Sequence, residues 1–277
     1  MKNNLVNFGL IILAIFCFTN ILQAQTVDTI EVFSDKMGRN IKNVVILPAG
    51  YVKDKETKYP VLYLLHGHGG KYDSWIKVTK KTLPQEASKW NMIVVCPDGQ
   101  NSWYWDSPID PKMQFDTYVS KELVSYIDKN YSTIASSKGR AVTGFSMGGH
   151  GGLWLGINHP DIFGACGSMS GGVDIRPFPN NWNMKVRLGS YKDNKQIWDD
   201  HTVITQLSKI EPNTLAIIID CGTSDFFFEV NEALHKELLY RNIPHDYITR
   251  PGAHNHEYWG NAIDYQMMFF TKFFNKQ

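Results

Sequence analysis

A serine flanked by glycines is the residue of this chain best suited to nucleophilic chemistry. Residues 144–148 read Gly-Phe-Ser-Met-Gly, with Ser146 at the centre. A short strand-like run at 140–143 precedes this pentapeptide, and a small-residue pattern typical of a helix follows it at 149–157. Glycine two positions on either side of the serine permits a tight strand-to-helix turn, because a Cβ there would collide with neighbouring elements. The pattern predicts a nucleophilic serine above the edge of a sheet, at the N-terminus of a helix.

A serine needs a base to remove its proton and a carboxylate to orient that base. Asp225 and His254 follow Ser146 in the chain, and each lies on a loop after a strand-like run. This is the chain order in which nucleophile, acid and base occur on mostly parallel sheets. We therefore predict Ser146, Asp225 and His254 as a catalytic triad. Asp220, at the end of its strand, suits a structural hydrogen bond better, and His256 stays open as an alternative base or as a residue lining the pocket.

Two backbone N–H groups are expected to stabilise the oxyanion that forms when the serine attacks an acyl carbon. One belongs to Met147, directly after the nucleophile, and the other to His68 in a glycine-rich loop after the strand-like run at 61–65. The histidines near this edge lack the helical H-x-x-x-H spacing of a zinc site, so we predict no metal and no cofactor. His235 in a helix and His245 before a strand are expected at the surface.

The elements that must position these residues alternate between strand and helix. Continuous apolar runs indicate strands buried on both faces, and an alternating pattern near the N-terminus indicates an edge hairpin. We predict an α/β-hydrolase fold: a mostly parallel, doubly wound sheet with an N-terminal antiparallel hairpin and helices on both faces. The predicted strands lie at 26–34, 41–47, 61–65, 92–96, 141–142, 165–166, 215–219 and 247–248, and the predicted helices at 81–90, 115–130, 148–158, 228–241 and 258–274.

Residues 1–24 have the composition of a secretory leader. Lys2 precedes an apolar run from Leu5 to Phe18, and Ala24 provides a small residue before a cleavage site. The run is shorter than the ~20 residues that span a bilayer. We predict a signal peptide over residues 1–24, one enzyme domain over residues 25–277, and a secreted or periplasmic location.

The predicted mature chain carries no net charge. Only Lys2 is lost with the leader, which leaves 27 basic and 27 acidic residues. This balance argues against a nucleic-acid or anionic-membrane partner, whereas the oligomeric state stays open. Three cysteines remain, Cys96, Cys166 and Cys221, and each lies at or near the end of an apolar run. We predict that they are buried structural residues.

Taken together, these motifs resemble the esterase D-type α/β-hydrolases, a group that includes tributyrin, feruloyl and acetyl-xylan esterases, S-formylglutathione hydrolases and mycolyltransferases. The matching pieces cover nearly all of residues 25–277: Tyr63-Leu64-Leu65-His66-Gly67, Pro97-Asp98-Gly99, Ser102-Trp103-Tyr104, residues 144–149, residues 158–163, Gly222-Thr223-Ser224-Asp225 and Gly252-Ala253-His254 with Tyr258-Trp259. The resemblance implies an esterase domain that uses Ser146, Asp225 and His254, with the His68 and Met147 amides as the oxyanion hole. At His256 many members of the group have tryptophan.

The substrate is expected to be an acyl ester, with acetyl or feruloyl groups on a polysaccharide favoured by the leader and by aromatic residues on loops. Trp103 and Tyr104 follow one strand, and Trp182 and Trp198 lie in an insertion at 171–209 that should cover the pocket. These four residues and His256 are the predicted substrate contacts. An acyltransferase that passes the acyl group to a sugar hydroxyl, and a non-catalytic glycan-binding protein, are the alternatives.

Overall fold

The computed structural model describes residues 25–211 and 213–276, so the predicted signal peptide lies outside the described residues. Eight strands form one sheet in the order β1-β2-β4-β3-β5-β6-β7-β8. The first three strands pair antiparallel, β1 with β2 and β2 with β4, and the remaining pairs are parallel. The strands are β1 Thr26–Ser34, β2 Arg39–Leu47, β3 Val61–Leu65, β4 Ile93–Pro97, β5 Arg140–Gly144, β6 Ala165–Met169, β7 Ala216–Gly222 and β8 Asp246–Arg250. The predicted sheet and its N-terminal hairpin are confirmed.

Helices cover both faces of the sheet, as predicted. They are α1 Leu83–Lys89, α2 Phe115–Thr117, α3 Val124–Asn130, α4 Met147–Asn158, α5 Lys185–Leu188, α6 Lys195–Asp200, α7 Phe228–Tyr240 and α8 His256–Phe274. The helix predicted over 115–130 is divided, because a π-helical segment, Tyr118–Leu123, joins α2 to α3. A second π-helical turn, Trp75–Thr79, precedes α1. Among the described helices, none is both long and apolar enough to cross a bilayer.

Successive side chains of a strand point to opposite faces of the sheet, which explains why there are two apolar cores. Tyr63 of β3 packs on the face covered by α4 and α7, whereas its neighbours Leu62 and Leu64 pack on the face covered by α1 and α8. Both faces are therefore buried, which accounts for the continuous apolar sequence of the central strands. Cys96, Cys166 and Cys221 are free thiols buried in these layers, as predicted.

The strand order brings the loops that matter to one edge. In a parallel sheet of this type, ligands bind beyond the carboxyl ends of the strands. The loops after β3, β5, β7 and β8 carry His68, Ser146, Asp225 and His254, respectively. The insertion at 171–209 contributes no strand to the sheet; it contains α5, α6 and a 3₁₀ segment, Val203–Lys209.

Candidate active site

Ser146 lies at the sharp turn between β5 and α4. Its backbone adopts φ 58° and ψ −120°, a conformation that non-glycine residues rarely take and that stores strain. A Cβ on Gly144 or Gly148 would lie 2.4 Å or 2.5 Å from the Leu65 carbonyl oxygen, which belongs to the backbone of β3 and cannot move aside. The Ser146 N–H donates to the Met169 carbonyl at 2.9 Å and anchors the turn to β6. The flanking glycines are therefore required by close backbone approach.

A continuous chain of hydrogen bonds links three side chains from three loops. His254 Nε2 lies 2.9 Å from Ser146 Oγ, and His254 Nδ1 lies 2.8 Å and 3.0 Å from the two carboxylate oxygens of Asp225. The Asp225 side chain is 0% exposed and His254 is 15% exposed. With Nδ1–H donating to Asp225, the Nε2 lone pair of His254 is free to accept the serine proton.

Backbone bonds hold Asp225 and His254 in register. The Ser224 N–H donates to the Gly252 carbonyl at 2.9 Å, which ties the loop after β7 to the loop after β8. The Phe227 N–H donates to Asp225 Oδ1 at 2.8 Å and fixes the rotation of the carboxylate. These contacts keep the carboxylate facing the imidazole.

The alternative candidates lie elsewhere. Asp220 is buried and accepts hydrogen bonds from Arg250 at 2.8 Å and from the Tyr258 hydroxyl, a structural arrangement. His256 begins α8, and its Nδ1 lies 2.9 Å from Thr79 Oγ1. Burial and the neighbouring His254 lower the pKa of His256, so its ring is neutral near pH 7.

His235 and His245 also lie away from this edge. The two rings hydrogen bond to each other at 2.7 Å between α7 and β8. Both residues are partly exposed there, in agreement with the expected surface position. Across residues 25–211 and 213–276, His, Cys, Asp and Glu side chains form no group of three or more suited to a metal ion.

Two backbone N–H groups next to Ser146 have no partner among the described residues: those of Met147 and His68. Met147 is the first residue of α4, where N–H groups lack intrahelical acceptors. The Gly67 carbonyl accepts from the Gly70 N–H at 3.0 Å and contacts His66 Nδ1 at 2.8 Å. Because a trans peptide directs its C=O and N–H oppositely, holding this carbonyl also restrains the direction of the His68 N–H.

His66 is a residue whose part in this arrangement the sequence analysis missed. Its Nε2 accepts a hydrogen bond from the Gly99 N–H at 2.9 Å, which places the ring proton on Nδ1 and makes Nδ1 the donor to Gly67. His66 is 1% exposed, so the tautomer is set entirely by protein groups. The sequence signal that could have identified His66 is its position as a polar residue directly after a continuous apolar strand.

A cavity of about 490 Å³ opens beside Ser146. Two aromatic pairs line it: Trp182 stacks on Phe226 at 5.7 Å, and Phe145 stacks on Trp259 at 4.3 Å. Phe226 is 52% exposed and lies 4.2 Å, centroid to centroid, from the His254 ring. The remaining lining residues are Gly67, His68, Gly69, Gly70, Ser74, Val78, Ser146, His254 and His256. Of the predicted substrate contacts, Trp182 and His256 line this cavity.

The other three predicted substrate contacts are corrected by the structure. Trp103, Tyr104 and Trp198 are 1%, 0% and 0% exposed and belong to the apolar core. Trp103 stacks on Trp105 at 5.5 Å, and Trp198 Nε1 donates to the Gly189 carbonyl at 3.1 Å. The Tyr104 hydroxyl accepts from the His66 N–H at 3.1 Å and donates to the His66 carbonyl at 3.2 Å. These rings support the site from behind and do not reach the cavity.

Known proteins resemble this chain over most of its length. A family model described as "Putative esterase" matches residues 34–270. An acetyl esterase from Caldicellulosiruptor saccharolyticus is 23% identical over 254 residues, which cover 84% of this chain and 94% of that protein. An endo-1,4-beta-xylanase/feruloyl esterase from Xylanibacter ruminicola is 33% identical over 157 residues, 53% of this chain and 22% of its own length.

Solved structures share the fold. A ferulic acid esterase superposes with a TM-score of 0.77 and 26% sequence identity, covering 90% of this chain and 99% of that chain. The predicted resemblance and the α/β-hydrolase fold are therefore confirmed.

Proposed function

The chain belongs to this Esterase family, and on that premise we propose that it is a serine carboxylesterase that forms an acyl-enzyme on Ser146. The observation that carries the proposal is the hydrogen-bond chain from Ser146 Oγ through His254 to the buried Asp225. A hydroxyl in this position loses its proton to Nε2 as it attacks, and the carboxylate stabilises the imidazolium that results.

The reaction follows from where each group points. Ser146 Oγ adds to the ester carbonyl carbon, its proton passes to His254, and the carbonyl oxygen becomes an oxyanion. The N–H groups of Met147 and His68, which have no partner among the described residues, are suited to donate hydrogen bonds to that oxyanion. His254 then returns the proton to the leaving alkoxide as the carbon–oxygen bond breaks. In the second half, His254 takes a proton from a water molecule as the water oxygen adds to the acyl carbon. The bond between that carbon and Ser146 Oγ then breaks, His254 returns the proton to Ser146 Oγ, and the carboxylic acid leaves.

The acyl groups that we propose are acetyl or feruloyl groups esterified to a polysaccharide. The names of the acetyl esterase and feruloyl esterase relatives support this substrate class. The stacked pair of Trp182 and the exposed Phe226 beside Ser146 provides a flat apolar surface that suits a feruloyl ring or a sugar ring. Trp182 and His256 are the proposed contacts, with His256 offering a neutral ring to a hydroxyl. We further propose that the enzyme is exported, because residues 1–24 have the pattern of a signal peptide.

Replacing the nucleophile tests this proposal. Ser146→Ala should fold normally and lose hydrolysis of acetyl and feruloyl esters almost completely. The wild-type protein should react with a fluorophosphonate that labels the peptide containing Ser146. Ser224→Ala, an exposed serine of the neighbouring loop, is the matched control and should keep activity and labelling. Labelling of another residue, or substantial turnover in Ser146→Ala, would contradict the proposal.

A further inference from the structure

The loop that carries the His68 N–H is a tight four-residue turn. Residues 67–70 are closed by the Gly70 N–H, which donates to the Gly67 carbonyl at 3.0 Å. Gly69 has φ +78°, the value that defines the third residue of a type II turn. In a type I turn the central peptide, between His68 and Gly69, is rotated by roughly 180°. The orientation of this one peptide therefore decides which turn the loop adopts.

One side chain holds the N–H of that central peptide. Gly69 N–H donates to Asn101 Oδ1 at 2.7 Å. Asn101 lies on the loop after β4, the strand beside β3, so this bond joins the carboxyl ends of two neighbouring strands. The bonds to the Gly67 carbonyl involve the peptide between Gly67 and His68, which has the same orientation in both turn types. The bond from Gly69 to Asn101 is the contact that favours the type II form.

A residue of the insertion at 171–209 holds Asn101 in place. Arg187 of α5 donates from Nε to the Asn101 carbonyl at 3.2 Å and from Nη1 to Asp110 Oδ2 at 2.9 Å. The Arg187 side chain is 16% exposed, and its own carbonyl accepts from Ser107 Oγ at 2.6 Å. The insertion that presents Trp182 to the cavity is thus connected through two hydrogen bonds in series to the turn beside Ser146.

We propose that Asn101, supported by Arg187, is a positioning residue that fixes the turn at 67–70 and so holds the His68 N–H at the oxyanion site. The inference rests on the proposed esterase function. The Gly67 carbonyl bonds restrain the His68 N–H from one side, and the Asn101 bond restrains His68 from the other through the His68–Gly69 peptide. Loss of the Asn101 bond leaves only the first restraint, so the range of positions that the His68 N–H occupies widens. A misplacement of 1 Å in such a group can cost about 100-fold in rate. Because the oxyanion forms only once Ser146 has attacked and is absent from the bound ester, the loss falls on kcat and not on KM.

Kinetics of an Asn101→Ala variant test this role. We expect kcat for an aryl acetate to fall roughly ten- to a hundredfold, below the 10²–10³ lost when an oxyanion donor is removed outright, while KM stays within about twofold. The affinity for a boronic acid, which forms a tetrahedral adduct on the serine, should fall by a similar factor. Asn101→Asp keeps the acceptor oxygen and should recover part of kcat. Arg187→Ala should show the same signature with a smaller loss.

A neighbouring residue and a second variant complete the design. Gln100→Ala is the matched control, because the Gln100 side chain accepts a hydrogen bond from Arg39 and forms none with residues 67–70. Gly69→Ala tests the turn independently: a Cβ there meets nothing within 4 Å, but the +78° backbone disfavours alanine, so kcat should fall without a clash. Wild-type kcat and boronic acid affinity in both Asn101→Ala and Gly69→Ala would overturn the inference, as would equal losses in Gln100→Ala. A wild-type protein that neither hydrolyses esters nor binds the boronic acid would instead refute the proposed function.

Discussion

Two tryptophans of the insertion should respond to truncation in opposite ways. Trp198 is fully buried, donates to the Gly189 carbonyl, and packs edge-on against Tyr191 at 5.4 Å. Removing a buried tryptophan costs about 3–5 kcal/mol. For a domain of this size, each kcal/mol shifts Tm by about 2–4 °C. Trp198→Ala should therefore lower Tm by about 6–20 °C while leaving the preference between ester substrates unchanged.

Trp182 is half-buried and lines the cavity beside Ser146, so Trp182→Ala should act mainly on selectivity. We expect the ratio of kcat/KM for a feruloyl ester to that for an acetyl ester to fall about tenfold, which corresponds to about 1.4 kcal/mol. Thermal unfolding and initial rates on both esters measure the two effects, with Tyr240→Ala, 83% exposed, as the control. Two results would refute the assignment of Trp198 to the core and Trp182 to the cavity: an unchanged Tm in Trp198→Ala, or a change of ester preference in Trp198→Ala as large as that in Trp182→Ala.

Three further predictions follow from the site, the core and the N-terminus. His254→Ala should lower kcat by several orders of magnitude, as loss of the nucleophile does, whereas His256→Ala should change KM or ester preference by at most about tenfold; exchanged behaviours would make His256 the base. Burial lowers the pKa of His150 to about 3, so the unfolded chain, with a pKa near 6.5 at this residue, binds one more proton between these values. His150 should therefore reduce the free energy of unfolding by about 1.4 kcal/mol per pH unit as the pH falls below about 6.5. Urea unfolding at pH 7 and pH 5 measures this pH dependence, which should be weaker in His150→Gln. An equal dependence of the unfolding free energy on pH in the wild type and in His150→Gln would contradict the reasoning. N-terminal sequencing of the protein from its producing cell should begin near Gln25, and an intact Met1 would contradict export.

The sheet could be predicted because its signal is local. A strand buried on both faces, such as β3, must be apolar at every position, and that run is visible in the sequence. The convergence of loops at the carboxyl edge then follows from parallel pairing alone. The same rule predicted that Ser146, Asp225 and His254 share one edge, and the structure has His254 within hydrogen-bonding distance of both Ser146 and Asp225.

Whether each aromatic side chain is buried or exposed could not be predicted in the same way. Trp103 and Tyr104 follow a strand end, a position that suits a pocket, yet both have positive φ and turn inward to the core. Trp198 lies in an insertion whose apolar residues follow no regular spacing. Nothing in its sequence therefore shows that Trp198 is buried, whereas another aromatic residue, Phe226, is exposed at the cavity wall. The bond between Gly69 and Asn101 joins two loops that are distant in sequence, and only the packed structure reveals it.

Detection of the covalent intermediate tests the central claim most directly. Rapid quenching of the enzyme with an excess of a feruloyl ester, followed by peptide mass analysis, measures which residue carries the acyl group. The hydrogen-bond chain ending at Ser146 predicts that the peptide containing Ser146 gains the mass of one feruloyl group, at a rate at least equal to turnover, and that the label disappears as ferulate is released. Hydrolysis at full rate with no acylated peptide, or with the acyl group on another residue, would contradict it.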